Sequence, residues 1–190
     1  MATITPKYSM NTENMKKSQI REILKLTQQP DIISFGGGLP APETFPVEEL
    51  RAASERVFAK HAARALQYGT TEGDMALREV LLRYEASHGV IAKPENLLVT
   101  SASQQSLDML PKLFLDPGDW AIAGRPTYLG AIQAIQAYRG KILGIPFSPE
   151  KDGFDMAELE RRYTAAKAQG AKIKYIYVIP DFQNPTGICW

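Results

Sequence analysis

Between Leu97 and Ile179 the chain repeats one rhythm, a short apolar run and then a stretch of helical period, and that rhythm leaves few folds open. Leu97-Leu98-Val99-Thr100-Ser101 is a buried-strand pattern, followed by a helix from Gln104 carrying Leu107, Leu110 and Phe114. Trp120-Ala121-Ile122-Ala123 is the second strand, ahead of a helix with Leu129, Ile132 and Ile135 that stops at Gly140. Lys141-Ile142-Leu143-Gly144-Ile145 is the third strand. Asp155, with Glu158 three residues on, makes a capping-box-like start for a helix ending near Gly170. Tyr175-Ile176-Tyr177-Val178-Ile179 is the fourth strand. Apolar strands separated by helices predict an α/β domain, a parallel-dominated sheet covered by helices on both faces. Pro111 falls inside the first of these helices, where its missing N–H and its ring predict a bend.

The part before Leu97 reads differently. Ile20, Ile23 and Leu24 predict a helix over residues 16–28, followed by an extended piece, Asp31 to Phe35, and the run Gly36-Gly37-Gly38-Leu39-Pro40. Pro42 and Pro46 bound a loop, after which Val47, Leu50, Ala53 and Val57 line one helical face. Gln67 to Gly73 is a second loop. Asp74 is the N-cap of a helix presenting Leu77, Val80, Leu81 and Tyr84, and Gly89 is its stop.

Composition removes several function classes. A net charge of +1 over 190 residues gives no reason to expect nucleic acid or a charged membrane as partner. The single cysteine, Cys189, allows no disulfide framework and points to a reducing compartment. No apolar run nears the roughly 20 residues of a spanning helix, and Met1 to Lys7 lacks the apolar core of a signal peptide. A soluble cytoplasmic protein is expected.

Four segments could carry chemistry. Ser101-Ala102-Ser103-Gln104-Gln105 joins a strand to a helix start, where the N–H groups of a first turn and the helix dipole favour an anion such as phosphate. Taken alone, Ser103 reads more simply as a plain helix cap. Tyr128, in Arg125-Pro126-Thr127-Tyr128, falls at the carboxyl edge of the sheet, where an aromatic ring can stack on a planar ligand or simply start a helix. Tyr68, in Gln67-Tyr68-Gly69, could offer a phenol to a phosphate or lie solvated in its loop. Asn184 precedes Pro185, which restricts its backbone and fixes where the amide points; a plain Asn-Pro turn is the alternative. The glycine run has neither dinucleotide nor P-loop spacing.

Taken in order, Gly-Gly-Leu-Pro, Gln-Tyr-Gly, Ser-x-Ser-Gln-Gln, Asp-Pro-Gly-Asp, Pro-Thr-Tyr and Asn-Pro-Thr-Gly resemble the N-terminal half of class I aminotransferases, the fold type I enzymes that use pyridoxal 5'-phosphate (PLP). The kynurenine/2-aminoadipate aminotransferase branch is the nearest in flavour, and the resemblance runs from about Ser18 to Gly187. It implies a truncated fold type I large domain over residues 46–190, with residues 1–45 supplying an N-terminal arm of the small domain and a substrate loop. It also implies that Ser103 and Gln104 hold the cofactor phosphate, that Tyr128 stacks on the pyridine ring, and that Asn184 donates to the ring 3′-oxygen. Tyr68 would reach the phosphate of the neighbouring subunit in a homodimer, Gly38 would line the substrate pocket, and Arg21 could approach the substrate. The reaction implied moves an amino group between an amino acid and a 2-oxo acid.

One departure stands out. In the family the Schiff-base lysine, the aspartate on the pyridine nitrogen, a second tyrosine and two arginines follow Asn-Pro-Thr-Gly, so they are expected beyond Trp190, and the chain alone is expected to be inactive. Lys112 and Lys174 lack the serine-rich context of the family lysine. Later strands of the family fill the sheet between Leu97–Ser101 and the other three, and Trp190 is expected to cap nothing. Rival readings are a carbon–sulfur lyase of the same fold, the effector domain of a transcription regulator, and a non-catalytic remnant.

Overall fold

The computed structural model describes residues 7–12, 38–148, 150 and 153–190. The helix read over residues 16–28, the extended piece Asp31 to Phe35, Gly36, Gly37 and Arg21 lie outside the described residues. The chain divides into two units, Gly38–Ser101 and Ala102–Trp190, the latter with the start of the chain.

Gly38–Ser101 holds two helices. Helix α1, Val47–Ala65, has Glu48 and Glu49 in its first turn, where the helix dipole favours anions, and leaves helical geometry at His61. Helix α2, Met75–Ser87, starts as the sequence predicts: the Asp74 carboxylate accepts the N–H groups of Ala76 and Leu77, and Gly89 follows the end at φ +86°. Arg64, from the last turn of α1, donates Nε to Asp74 at 3.0 Å, so one carboxylate ties both helices. That guanidinium, then the Leu77 N–H, holds the Asp74 carboxyl below its usual range. Gly73 has to be glycine, since its φ is +100° and a Cβ there would stand 2.7 Å from Val99 Cβ.

Leu97–Ser101, expected as the first strand, is a correction. Leu97 is extended, but the segment forms no ladder among the described residues; the Val99 N–H donates instead to Glu72 O at 3.0 Å. An extended apolar run becomes a strand only where a second backbone meets its N–H and C=O groups.

Ala102–Trp190 is built around a sheet. After helix α3, Ala102–Phe114, come β1, Trp120–Arg125; α4, Leu129–Ala137; β2, Lys141–Pro146; α5, Met156–Ala168; and β3, Ile173–Tyr177. The strands are parallel in the order β2-β1-β3, with Trp120 opposite both Lys141 and Ile173. The fourth predicted strand thus lies two residues earlier than its apolar run suggests. Central β1 is buried on both faces. Ala121 packs with Leu115 of the turn after α3 and Ile135 of α4, while Ile122 packs with Ile145 and Phe154, where Leu159 of α5 joins them. Helices therefore cover both faces of the sheet, as the apolar strands predict. Pro111 is buried inside α3, which is continuous through it.

The turn Asp116-Pro117-Gly118-Asp119 aims β1. Asp119 accepts the Asp116 N–H at 3.0 Å and the Lys174 ammonium at 3.2 Å, and these two contacts, in that order, hold its carboxyl below the usual range. The end of the chain is a second correction: Trp190 stands edge-on to Phe154 at 4.7 Å and Phe147 at 6.0 Å, and its N–H donates to Pro180 O at 2.9 Å.

Candidate functional site

Because the three strands are parallel, the loops leaving β1 and β3 emerge at one edge of the sheet. The first loop, Pro126-Thr127, leads to Tyr128 at the N-cap of α4; the second, Val178 to Asn184, leads from β3 into Pro185. Both turn at cis X-Pro bonds, Arg125-Pro126 and Asn184-Pro185.

One side chain joins the two loops. Gln183 is 2% exposed, and its Nε2 donates to Pro126 O at 3.2 Å and Asn184 O at 2.9 Å. Its Oε1 accepts the Thr186 N–H at 2.9 Å and the Thr186 hydroxyl at 2.6 Å. Every polar atom of this buried amide is thus satisfied, which is the condition under which burying it rigidifies rather than destabilises. Asn184 is left exposed, and its side-chain amide makes no hydrogen bond among the described residues. The loop is anchored again by Trp190, and by the Phe182 N–H on Cys189 Sγ at 3.3 Å.

Tyr128 is half-buried and packs with Tyr177, the last residue of β3, against Leu107 of α3 and Ala131 and Ala134 of α4. Burial, and then the neighbouring Tyr128, push the Tyr177 phenol above its ordinary value. Gly130 explains how α3 joins the site. A Cβ there would overlap the Tyr128 ring and stand 2.9 Å from Gln104 Oε1, so the tyrosine ring and the Gln104 side chain meet over a position that only glycine leaves open. Gln104 and Ser103 are exposed in the first turn of α3, just after Ala102, which has φ +61°. A left-handed residue leading into a right-handed helix turns successive N–H groups toward one point, a concavity suited to an anion.

The structure therefore brings Gln104 and Tyr128 together, places Ser103 beside Gln104, and ties the Tyr128 loop to the Asn184 loop. Tyr68 and Gly38 belong to the other unit. Tyr68 is 99% exposed on a cleft between α1 and α2, with its backbone N–H donating to Oε1 of the adjacent Gln67, and Gly38 has nothing within 4 Å of where a Cβ would stand. Lys174 pairs with Asp119 at the opposite, amino-terminal edge, and Lys112 is exposed in the last turn of α3. Sequence reasoning missed Gln183, Tyr177 and Gly130. Glycine in the first turn of a helix is a signal that could have found Gly130, because glycine is a poor helix former unless something must come close. Gln183 carries no such signal, since its partner Pro126 lies 57 residues away.

This donor set suits a flat, phosphorylated ligand: an anion concavity, a half-buried aromatic ring and a free amide, held by a fully bonded clamp. Comparison with known proteins identifies the family. The family model described as aminotransferase class I and II matches residues 30–190. Aromatic-amino-acid aminotransferase 1 of Thermococcus litoralis is 42% identical over 182 residues, covering 95% of this chain and 43% of that protein. The 2-aminoadipate transaminase of Thermus thermophilus is 42% identical, covering 91% of this chain and 41% of its own length. The crystal structure of Pyrococcus horikoshii kynurenine aminotransferase superposes with a TM-score of 0.85 at 40% identity, covering 96% of this chain and 45% of that one. The chain thus spans less than half the length of these relatives, and its partial parallel sheet has the fold type I architecture.

Proposed function

This chain belongs to the class I and II aminotransferases, and we propose on that premise that it serves PLP-dependent transfer of an amino group between an amino acid and a 2-oxo acid. The observation that carries the reading is the Gln183 clamp, which fixes the Tyr128 and Asn184 loops at the sheet edge where α/β proteins bind ligands. Residues 46–190 form the cofactor-binding domain and residues 1–45 the arm and substrate loop. The Ser103 hydroxyl, the Gln104 amide and the first-turn N–H groups of α3 hold the phosphate. Tyr128 supplies the ring under the pyridine, and Asn184 donates its Nδ2–H to the 3′-oxygen. When bound, PLP supplies an electron sink for the substrate carbanion. Tyr68 reaches the phosphate site of a second subunit, Gly38 lines the substrate pocket, and Arg21 approaches the substrate. A homodimer in the cytoplasm is the corresponding assembly.

Neither Lys112 nor Lys174 carries the cofactor covalently on this reading, one being solvated on α3 and the other ion-paired at the far edge of the sheet. Two measurements test it together. In an absorbance titration with PLP, Ser103→Ala and Asn184→Ala should each weaken binding about tenfold, the loss of one charge-assisted hydrogen bond. Borohydride reduction followed by mass spectrometry should then give no high-yield adduct at a single lysine of this chain. Unchanged binding in both variants, or such an adduct at Lys112 or Lys174, would overturn the assignment.

A further inference from the structure

We propose that the chain carries a second small-molecule site, at the amino-terminal edge of the sheet, that takes a small organic anion bearing a flat ring. A cleft of about 620 Å³ opens there, lined by Trp120, Lys141, Leu143, Arg161 and Arg162 and otherwise by small residues and the end of α5. That volume lies inside the ~300–1,000 Å³ range of ligand pockets. Trp120 and Lys141 are the first residues of β1 and β2 and sit opposite each other in register, which brings Lys141 Nζ to 5.4 Å from the indole centroid. An apolar ring wall and a cation therefore share one end of the cleft.

The other wall is a fixed pair of guanidinium groups. Glu158 accepts Arg161 Nε at 2.7 Å and Nη2 at 2.9 Å, and also accepts Arg162 Nε at 2.7 Å. Arg162 Nη1 donates further to Gly144 O at 2.9 Å. Arg161 and then Arg162 hold the Glu158 carboxyl down to about 2, so it stays ionised and keeps both forks in place at neutral pH. Three cations, Lys141, Arg161 and Arg162, then face the cleft against the one carboxylate that the two arginines share, a net excess of positive charge. Guanidinium groups already ordered by an ion pair lose little further freedom when an anion arrives. The C-terminal end of α5 does not cancel this field, because a helix end carries only about half a negative charge, and carbonyls of its last turns also accept the N–H groups of Gln169, Gly170 and Ala171. The neighbouring carboxylate, Asp119, is engaged by Lys174 and the Asp116 N–H. The geometry assigns the anionic head to Arg161, Arg162 and Lys141, and the ring to Trp120 and Leu143.

An aromatic carboxylate and a nucleoside monophosphate share this chemistry, and a titration separates them. The probes are benzoate, adenosine monophosphate and inorganic phosphate, added at low salt to the isotope-labelled chain, with the Trp120 indole N–H resonance as the readout. At least one of the two ring-bearing probes should shift that resonance saturably, and phosphate should bind at least tenfold more weakly than the better of them. Response to benzoate alone identifies a carboxylate head, to the nucleotide alone a phosphate head. The doubly substituted chain Lys141→Ala/Arg161→Ala should bind at least tenfold more weakly, Lys141→Arg/Arg161→Lys should retain binding, and Lys167→Ala, outside the lining, should bind as the parent does. Absence of a saturable shift with either ring-bearing probe, equal binding of phosphate, or binding unaffected by loss of the two charges would overturn the proposal.

Discussion

The two units of this chain answer the same sequence pattern in opposite ways. In Ala102–Trp190 the apolar positions disappear inside: Ala121, Ile122, Ala123 and Ile145 are each no more than 2% exposed. In Gly38–Ser101 the apolar stripe of α1 stays open, with Val47 at 61% and Leu50 at 60% exposed, and α2 likewise leaves Val80 at 52% and Tyr84 at 61%. Both units have capped helices of regular period, so local helix signals do not separate them. What separates them is a sheet: a parallel strand presents two faces at once, and helices on each face complete a core. A helical stripe names the side that wants cover without naming what covers it.

The largest test of that difference is a pair of truncations. Ile122→Ala should cost about 2–5 kcal/mol in denaturant unfolding, as for other buried large-to-small changes, whereas Leu50→Ala should stay within about 0.5 kcal/mol, as expected of an exposed position. Equal costs would mean that the α1 stripe is covered in solution. Next in size is the clamp. Gln183→Leu leaves Thr186 and Pro126 without their partner and should cost about 1–3 kcal/mol, with faster amide exchange confined to the Tyr128 and Asn184 loops. Exchange spreading evenly over the sheet would make Gln183 a general core residue.

Two smaller effects come from charge. The Glu158 carboxyl, normally near 4.5, is held at about 2 in the folded chain, so its contribution is present above pH 4.5 and fades as the pH falls through 2. Comparing thermal melts of Glu158→Gln and the parent, the difference should be constant at neutral pH and vanish toward pH 2. Tyr175 works at the other end: burial pushes its phenol from 10.0 to about 12, so the folded state favours the neutral form. The stability tied to it is complete below pH 10 and lost as the pH rises through 12. Tyr175→Phe should remove that part of the alkaline loss, and an unchanged alkaline limb would assign it elsewhere.

Much of this was legible in the residues. Asp74 and Asp155 read as caps and act as caps, Gly89 and Gly170 stop their helices, and the alternation after Ser101 gives a parallel sheet with helices on both faces. The Leu97–Ser101 run failed as a strand because pairing depends on a second backbone, which a local pattern does not contain. Trp190 likewise looked idle because its partners, Phe147 and Phe154, lie about forty residues upstream. At the site, Ser103, Gln104, Tyr128 and Asn184 stood out by type and position. The Gln183 clamp between the Tyr128 and Asn184 loops depends on a contact across the sheet edge, which only the fold creates.

The most direct test of the account is an amide-resolved NMR titration of the chain with PLP. It predicts saturable shifts clustered at Ser103, Gln104, Tyr128 and Asn184, weakened together in Gln183→Leu. Shifts confined to the cleft of Trp120, Lys141 and Arg162, or scattered with no cluster at the carboxyl edge, would contradict it.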